Sequence, residues 1–590
     1  FYLPWIVLVG CVLFLLIQFF RIEIPLDAGD GLMHFYISNF ALEKPVMYLN
    51  HWGKPFFTLL ASPFTLFGFK GVIVFNLIIF ILTSWVGFIG LRALKVSTLL
   101  QALFPLALIY SYDYSSNVLS GLTEVLAGFM VVLGSYFLIK KQWIWMAICV
   151  SILPYCRSEG QLMIVLALLV LLYNKQYKII PFLFTGFVIY AFIGWFSLGD
   201  FFWYFHNDPY PMVSPYGKGD WSRFWQLKAQ YTGYLGLFLL VCSFISLGYS
   251  LLKKNLFSLR IDFVFFGLAT FFGILFVHAY FWANGLKGSL GLTRVITIGL
   301  PILILACLYL ISQLNFENKS YKLSFLFMVF AVCFFYNKTI FSVSQNIGLD
   351  RSIIESSNFI KKNNTEKSKV YYLHPLFASA LGVNILEYNK IYKQKSFRME
   401  KEDFSELQYG DFLIRDSHFG PVEMGVPSSV IEESKEMVLV NEIYPSQPGT
   451  SYHGEQWSVK IFQKIPIEKQ QLILGQSSQN ISLKKNHFEI TSKDTYVPVF
   501  EEKITTNVSF LEVDFTAKDN GAFLVSNLKN GSIWTNTALK KNERIKIKLP
   551  IKQNEVVKLF FWNPNKIENK VDVHEINMTK TSYHSIYKTN

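Results

Sequence analysis

The sequence predicts a polytopic α-helical membrane domain followed by a polar tail, and three observations support this fold class. Hydrophobic residues make up 52% of the chain and charged residues only 16%. The first 340 residues contain long uncharged runs, and a helix that crosses a bilayer needs about 20 apolar residues. The rest of the chain is more polar, and parts of it alternate between apolar and polar residues, as β-strands do.

Apolar runs in the first part predict eleven spans, several of them short enough to require tilting or a thinned bilayer. The apolar segment 55–68 is predicted to lie in the interface, because counting it as a span breaks the alternation of charged loops. The first run is expected to remain as an anchor and not to be removed as a signal peptide. The predicted spans are about 4–20, 71–91, 98–112, 117–139, 142–156, 160–173, 178–198, 229–252, 261–284, 292–312 and 322–337.

Basic residues in alternate loops give the predicted orientation. Pairs such as Arg92 with Lys95 and Lys140 with Lys141 follow every second span, and loops of this kind face the cytoplasm. The N-terminus is therefore predicted inside and the tail outside. Because much of the membrane half's positive charge lies in these loops, the net charge of +13 does not indicate nucleic-acid binding.

The cysteines indicate the cellular compartment. All six lie within or beside apolar runs, and the tail has none. The tail therefore has no disulfide bond and no thiolate metal site. A large exported eukaryotic domain would more often carry disulfides, so we predict a bacterial protein of the cytoplasmic (inner) membrane with periplasmic C-terminal domains.

The tail is predicted to contain two domains. Residues 345–465 mix helix-like stretches with short buried strands at 369–373, 411–414 and 456–462, which predicts a small α/β domain. Residues 466–590 alternate with period two, for example at 510–515, 544–549 and 557–562, which predicts a β-sandwich of the jelly-roll or carbohydrate-binding kind. Trp534 and Trp562 are candidates for stacking on sugars, although core or rim packing is the simpler interpretation.

The first outer loop is the richest in candidate site residues. Asp27 and Asp30 follow the first span in Leu26-Asp27-Ala28-Gly29-Asp30-Gly31, with His34 in the next turn, and His51 and Lys54 come later in the loop. A carboxylate at the membrane edge can accept the proton of an attacking hydroxyl. The alternative is that Asp27 and Asp30 cap a helix or stabilise a turn.

Charged residues at the outer ends of other spans are further candidates. Glu124 is the only charge in the predicted span 117–139, Arg157 and Glu159 join two short spans, and Arg294 begins the tenth. Charge in a membrane is costly and is usually kept for function, and a guanidinium suits a lipid phosphate. The alternatives are a Glu124 that snorkels to the surface, an internal ion pair of Arg157, and headgroup contact by Arg294.

Histidines in the outer loops are weaker candidates. His206 lies in the loop 199–228 and His278 at the end of the ninth span, where polar and aromatic residues are ordinary. The scattered His and Asp residues show no spacing typical of metal ligands, so we predict no tightly held metal, although a divalent ion is compatible with the chemistry.

The ordered set of outer motifs resembles the GT-C superfamily of polytopic glycosyltransferases, especially its bacterial mannosyltransferase-like members. The resemblance covers about residues 1–340. It rests on Ala28-Gly29-Asp30-Gly31 with His34, His51-Trp52-Gly53-Lys54-Pro55, Ser120-Gly121-Leu122-Thr123-Glu124, Arg157-Ser158-Glu159-Gly160, and the stretch from Gly291 to Arg294.

This resemblance implies sugar transfer from a polyprenyl-phosphate carrier to an acceptor hydroxyl on the extracytoplasmic side, with inversion. Asp30 best matches the family's acidic base, and Asp27 is the reserve; the adjacent acidic pair common in the family is absent, because Gly31 follows Asp30. The expected partners are membrane lipids, the lipid-linked donor, a protein, glycan or lipid acceptor, and an envelope protein bound through the tail. The expected ligands of the donor are Arg157, Arg294, Lys54, His51, Glu124, Glu159 and His34.

Two other functions fit the sequence. A lipid or glycan transporter would also be polytopic, but such proteins often show internal repeats and charges at mid-membrane; we find no obvious repeat, and the charges here gather on one face. A non-catalytic envelope scaffold would leave the membrane charges without a chemical role.

Overall fold

The computed structural model divides into two compact units, Phe1–Ser344 and Gln345–Asn590. The described residues are 2–252, 259–314, 319–336, 340–343, 348–364, 368–386, 395–396, 404–427, 430–431, 434–445, 449–451, 455–467, 474–481, 486–503, 510–520, 522–527, 533–539, 541–550 and 556–583.

Helices account for the regular secondary structure of the first unit among its described residues, apart from one isolated β-bridge between Val213 and Leu286. Three 3-10 segments, Pro45–Leu49, Tyr177–Phe184 and Thr293–Ile298, connect or extend the α-helices. The α-helices are α1 Leu3–Phe20, α2 Asp30–Ala41, α3 Pro55–Thr65, α4 Phe69–Ala93, α5 Thr98–Ile109, α6 Tyr112–Leu119, α7 Glu124–Ile139, α8 Trp143–Cys156, α9 Gly160–Tyr173, α10 Thr185–Leu198, α11 Trp203–His206, α12 Ser222–Gln226, α13 Lys228–Leu252, α14 Ile261–Asn284, α15 Leu300–Ser312 and α16 Lys319–Phe335.

Five helices among the described residues are long and apolar enough to cross a membrane: Leu3–Phe20, Phe69–Ala93, Tyr177–Leu198, Lys228–Leu252 and Ile261–Asn284. Shorter apolar helices occupy most of the other predicted spans. The predicted fold class, a multi-pass helical membrane part followed by a β-containing region, is therefore confirmed. The count of eleven spans is not confirmed, because helices of 10–17 residues are too short to show by length alone that they cross.

The predicted span 117–139 is not one straight helix; that it crosses the membrane as one broken span stays a prediction. Helices α6 and α7 meet at an angle of 110° across a break at 120–123. Asn76 holds the break open, since its side-chain amide donates to the carbonyls of Asn117 and Leu122 at 3.3 and 2.9 Å. The break makes Glu124 the first residue of a helix instead of an interior one.

Helix α15 lies at the centre of the first unit. Every residue from Leu300 to Ile311 is buried, as expected for an apolar helix surrounded by others. By contrast, α1 and α13 expose large apolar side chains such as Ile17 and Ile245, which suits lipid contact. Helix α3 forms where the interfacial helix 55–68 was predicted; its position relative to the bilayer stays a prediction.

The second unit begins with a mixed sheet and two helices. Helices α17 (Leu349–Asn363) and α18 (Pro375–Leu381) accompany a sheet ordered β2-β1-β3-β5-β4, in which β1 pairs in parallel with β2 and β3, and the β3–β5 and β5–β4 pairs are antiparallel. Strands occur at all three places predicted for this stretch. The strands are β1 Val370–Tyr372, β2 Lys395–Ser396, β3 Phe412–Asp416, β4 Met437–Ile443 and β5 Val459–Lys464.

The remaining strands form two antiparallel sheets, ordered β11-β10-β13-β8 and β12-β9-β14-β6, with β7 paired to β14. One apolar core contains residues of both sheets, for example Phe515 and Phe561, so the sheets pack face to face. The division of the tail near residue 465 stays a prediction. The strands are β6 Leu474–Asn480, β7 His487–Ile490, β8 Tyr496–Lys503, β9 Phe510–Ala517, β10 Phe523–Asn527, β11 Ile533–Ala538, β12 Arg544–Pro550, β13 Val556–Trp562 and β14 Asn569–Tyr583.

Two adjacent phenylalanines on β13 show that one face of this sheet is buried in the core and the other is partly exposed. Phe561 is fully buried against Phe488 and Phe515, whereas Phe560 packs on Tyr496 and is only partly buried. We expect Phe561→Ala to lower the free energy of unfolding of this region by about 3–5 kcal/mol, the cost of removing a core phenylalanine. Phe560→Ala is the matched control and should cost clearly less. Pulse proteolysis of the full chain across a urea series measures both, and equal losses would contradict the assignment of faces.

Candidate functional site

A cluster of charged side chains lies where several elements of the first unit meet. It joins residues that are far apart in sequence but were predicted on the same face. The cluster consists of Asp27, Asp30, Glu124, Arg157, Glu159 and Arg294, with His278 and Lys54 at its margin.

Arg294 links the first outer loop to the rest of the cluster. Its Nη1 and Nη2 make ion pairs with Asp27 Oδ2 and Asp30 Oδ2, respectively. Asp27 Oδ1 also accepts the backbone N–H of Gly31 at 2.8 Å. Asp27 therefore serves in the turn, as the alternative interpretation held, and pairs with the arginine as well. The Arg294 side chain is 18% exposed, and the alternative that it contacts lipid headgroups stays a prediction.

Glu124 lies between the two arginines. Its side chain has no exposed surface; Oε1 is 3.4 Å from Nη1 of Arg157 and 3.7 Å from Nε of Arg294. Neither of its carboxylate oxygens makes a hydrogen bond to a described residue. Glu124 thus balances two buried cations by charge alone, and the snorkelling interpretation is wrong.

Arg157 and Glu159 form a close ion pair. An internal ion pair was one of the two interpretations of Arg157 from the sequence, and phosphate binding was the other. Nη2 of Arg157 lies 2.9 Å from Oε1 of Glu159, and His278 Nε2 lies 3.1 Å from the same oxygen. Burial raises the pKa of Glu159, but Arg157 and His278 outweigh it and hold the pKa well below its usual value. Glu159 is therefore ionised. The third contact of Arg157 is with the Thr123 hydroxyl, at 3.3 Å.

Lys54 is the cation of this region that has no acidic partner. It is 1% exposed; its ammonium lies 3.2 Å from Ser158 Oγ and 4.8 Å from the centre of the Tyr210 ring. No carboxylate of the described residues lies within ion-pair distance of it. Burial and the charge of Arg157 lower the pKa of Lys54 to about 7, so its charge is available to an incoming anion but is easily lost.

Helix starts add positive potential to the cluster. Helix α2 begins at Asp30, α3 directly after Lys54, α7 at Glu124 and α9 directly after Glu159. The first N–H groups of each helix lack partners within the helix and carry partial positive charge. Four such ends near one place offset the excess of carboxylates over cations and favour an anion.

Two glycines explain why these motifs have their sequences. A Cβ on Gly31 would lie 2.4 Å from the carbonyl oxygen of Ser120, so only glycine lets the first loop approach the break before α7. A Cβ on Gly160 would lie 2.3 Å from the backbone of Leu153, which makes the turn between α8 and α9 equally tight. Both contacts bring charged neighbours into the cluster.

The predicted histidines lie beside the cluster but do not bind its charges. His34 is buried against Phe57; burial and nearby cations, Arg157 first, hold its pKa well below the usual value. His51 stacks on Tyr204 at 4.3 Å, and burial together with Lys54 lowers its pKa to about 4. Both are therefore neutral, and any contact with substrate would be by hydrogen bonding.

Other outer-loop residues are not part of the cluster. His206 is mostly exposed and pairs with Asp200 at 2.8 Å. Asp208 pairs with Lys287 at 3.2 Å, and Asp220 accepts from the Ser222 backbone. These contacts fix surface loops.

Sequence reasoning missed a polar cavity next to Asp27 and Arg294. It has a volume of about 160 Å³, and its wall includes Asp113, Asn117, Gln230 and Thr293. The only signal available was a lone carboxylate in the short outer loop 112–117. The others are uncharged and gave none.

No group of three or more His, Cys, Asp or Glu side chains in the described part of the chain could hold a metal ion. Arginines occupy the positions between the carboxylates where a cation would otherwise lie. The prediction that no metal is tightly held stays a prediction.

The fold and the site together define a multi-pass membrane protein with a buried ionic cluster beside a polar cavity. The solved structure of ArnT from Cupriavidus metallidurans bound to undecaprenyl phosphate is similar, with a TM-score of 0.48, 10% identity, and coverage of 77% of this chain and 97% of that chain. Arabinofuranosyltransferase AftD from Mycobacteria matches with a TM-score of 0.37, 8% identity, and coverage of 90% of this chain and 57% of that chain.

No family model and no curated protein matches the chain. At these identities and TM-scores the likeness concerns the course of the chain alone, so a function has to be argued from this protein's own residues.

Glu124→Gln tests whether Glu124 holds the cluster together. Removing the charge of Glu124 takes one acidic neighbour from each of the two buried guanidinium groups. Breaking a buried ion pair costs roughly 3–5 kcal/mol. We expect a clear fall in the thermal unfolding temperature in detergent, while Asp220→Asn, an exposed control, leaves it unchanged. Equal unfolding temperatures for Glu124→Gln and the unchanged protein would contradict a central role.

Proposed function

We propose that this protein transfers a sugar from a polyprenyl-phosphate carrier to an acceptor hydroxyl on the extracytoplasmic side of the membrane, with inversion at the anomeric carbon. The observation that carries the proposal is the contact of Asp30 with Arg294 inside a cluster that also holds Arg157. A candidate base and candidate phosphate ligands thus lie in one place. The motif resemblance to GT-C enzymes supports the same reaction.

Lys54 is the best candidate for holding the donor phosphate, and Arg157, whose charge is already shared with Glu124 and Glu159, is a secondary one. Lys54 has no carboxylate partner among the described residues, and it contacts Ser158, the residue after Arg157. The starts of α3 and α9 lie beside these two side chains. Positive charge here would stabilise the negative charge that develops on the leaving phosphate.

Arg294 has a different role from the one expected from sequence. Because Asp27 and Asp30 both pair with it, its charge is already largely balanced. We therefore assign Arg294 mainly to positioning the two carboxylates, with phosphate binding as a secondary role.

Asp30 is the better base of the two carboxylates. Both oxygens of Asp27 are engaged, one by the Gly31 N–H and one by Arg294. Asp30 contacts Arg294 through Oδ2, its Oδ1 has no hydrogen-bond partner in the described structure, and its side chain is 36% exposed. A free and accessible carboxylate oxygen is what proton abstraction requires.

Asp30 takes the proton of the acceptor hydroxyl while the acceptor oxygen forms a bond to the anomeric carbon. The bond between that carbon and the phosphate oxygen breaks, and its electron pair remains on the phosphate. Attack opposite the leaving group inverts the configuration. No tightly bound cofactor takes part.

The orientation and the tail complete the proposal. The cluster would face the outer leaflet, with the N-terminus inside, in the cytoplasmic membrane of a bacterium. Lipid-linked donor would reach it sideways from the bilayer, and the tail would contact a protein, glycan or lipid acceptor or an envelope partner. The basic loops that follow alternate helices support this sidedness.

Asp30→Asn tests the base. The amide cannot accept the proton, so we expect sugar transfer to fall by about 10²–10⁴-fold, the usual contribution of general base catalysis. The assay offers a panel of polyprenyl-phosphate sugars to membranes from a strain lacking the gene. Asp220→Asn is the matched control and should retain full activity.

Near wild-type transfer by Asp30→Asn would remove Asp30 as the base. If the purified protein moves the lipid across reconstituted vesicles without any sugar transfer, the transporter interpretation replaces the enzymatic one.

Lys54 should give donor binding a distinct pH dependence. Its pKa of about 7 means that the ammonium is present below pH 7 and lost above it. A phosphodiester donor does not titrate in this range, so donor affinity should weaken by up to about tenfold per pH unit above 7. Lys54→Arg keeps its charge and should remove this dependence. Equilibrium binding of the donor between pH 6 and 8.5 measures it, and parallel curves for both proteins would contradict the assignment.

A further inference from the structure

The polar cavity beside Asp27 and Arg294 is not explained by the charged cluster. Its volume of about 160 Å³ is more than ten times the roughly 10–15 Å³ that a single water needs. Its wall carries carboxylate, amide and hydroxyl groups, including Asp113, Ser116 and Gln230, together with the guanidinium of Arg294 and three leucine side chains. A cavity with this lining suits a ligand with several hydroxyl groups.

Two buried atoms of the wall lack partners. Asp113 is 4% exposed; its Oδ1 accepts from Gln230 Nε2 at 2.8 Å, and the Thr293 hydroxyl lies near enough to stabilise its charge. No described residue makes a hydrogen bond of normal geometry to its Oδ2. Asn117 Oδ1 is also buried and has no hydrogen-bond partner among the described residues. The Asn117 amide nitrogen donates to Thr297 Oγ1 and to the backbone carbonyl of Arg294. Buried acceptors left unpaired are costly, so both atoms point to a ligand that donates hydrogen bonds.

The contacts of the cluster place the cavity on the side of the carboxylates. Its wall includes Asp27 and Arg294 but not Lys54 or Arg157. Arg294 lines the cavity and contacts Glu124, which in turn contacts Arg157. Lys54 contacts Ser158, the residue after Arg157. A ligand in the cavity would lie next to the proposed base and farther along the chain of contacts from the proposed phosphate ligands.

We propose that this cavity binds one neutral sugar unit of the acceptor, with Asp113 accepting a hydrogen bond from a hydroxyl that does not react. The assignment rests on the proposed function, because it uses the positions of the base and the phosphate ligands. The Arg294 guanidinium in the wall is already paired with Asp27 and Asp30, so the additional carboxylate of Asp113 disfavours an anionic ligand. The acceptors that lack partners in the described structure disfavour an apolar ligand. The volume admits a single ring with its hydroxyl groups.

Sugar binding can be measured without transfer. The full chain in lipid nanodiscs, without donor, is titrated with the methyl glycosides of glucose, galactose, mannose and arabinose, and contact is detected by saturation-transfer NMR. At least one glycoside should bind saturably to the unchanged protein. Asp113→Asn keeps one acceptor oxygen, which Gln230 Nε2 would engage, and replaces the other oxygen with a donor NH2. It should weaken that binding about tenfold, the loss of one hydrogen bond to a charged group. Asp220→Asn should bind normally.

A second variant covers the case in which Asp113→Asn fails to fold. Ser116 lines the cavity, and Ser116→Phe should fill it and abolish glycoside binding. In the transfer assay, Asp113→Asn should raise KM for the acceptor about tenfold and leave KM for the donor unchanged.

Three results would overturn the inference: no saturable binding of any of the four glycosides, equal binding by the unchanged protein and Ser116→Phe, or a rise in KM for the donor instead of the acceptor. Asp30→Asn separates this inference from the proposed function. It should bind the glycoside normally while losing transfer. If it retains transfer, the proposed function fails, whereas glycoside binding tests the cavity in either case.

Discussion

The balance of charge around two buried arginines is the constraint on which the rest of the site depends. Arg157 and Arg294 lie in an apolar helical unit, and a guanidinium removed from water is stable only when acidic groups surround it. Each arginine therefore has carboxylates from more than one segment, and Glu124 is shared by both. The helices cannot shift independently without leaving a charge unpaired, so the cluster fixes where the first loop and the turn between α8 and α9 lie.

The same constraint separates the charges into two kinds. Glu124, Glu159 and Arg157 satisfy one another, as do Asp27 and Arg294. Lys54 has no acidic partner in the described structure, and Asp30 has one free oxygen. The cost of burying Lys54 appears in its lowered pKa. These two incompletely satisfied groups are the ones to which chemistry is assigned, because perturbed and unpaired groups are commonly functional.

Several features of the fold could be predicted because they depend on local patterns. Apolar runs located the helices, and alternation located β9, β12 and β13. The break before α7 could not be predicted, since it depends on Asn76, which lies on another helix and bonds to the carbonyls of Asn117 and Leu122. The pairing of Arg157 with Glu159 was foreseen only as one of two possibilities, because both a phosphate and a carboxylate satisfy a guanidinium.

The sequence by itself determined the membrane class and the two-part organisation, and it predicted which polar residues share one face, because hydropathy and charge act on short segments. Only the tertiary structure decided which of those residues meet. It paired Arg294 with Asp27 and Asp30, left Lys54 without an acidic partner among the residues that the structure describes, and enclosed Asp113 and Gln230 in a cavity that no motif indicated. The physical reason is that ion pairing and burial depend on distances between helices, and these are set by packing over the whole unit.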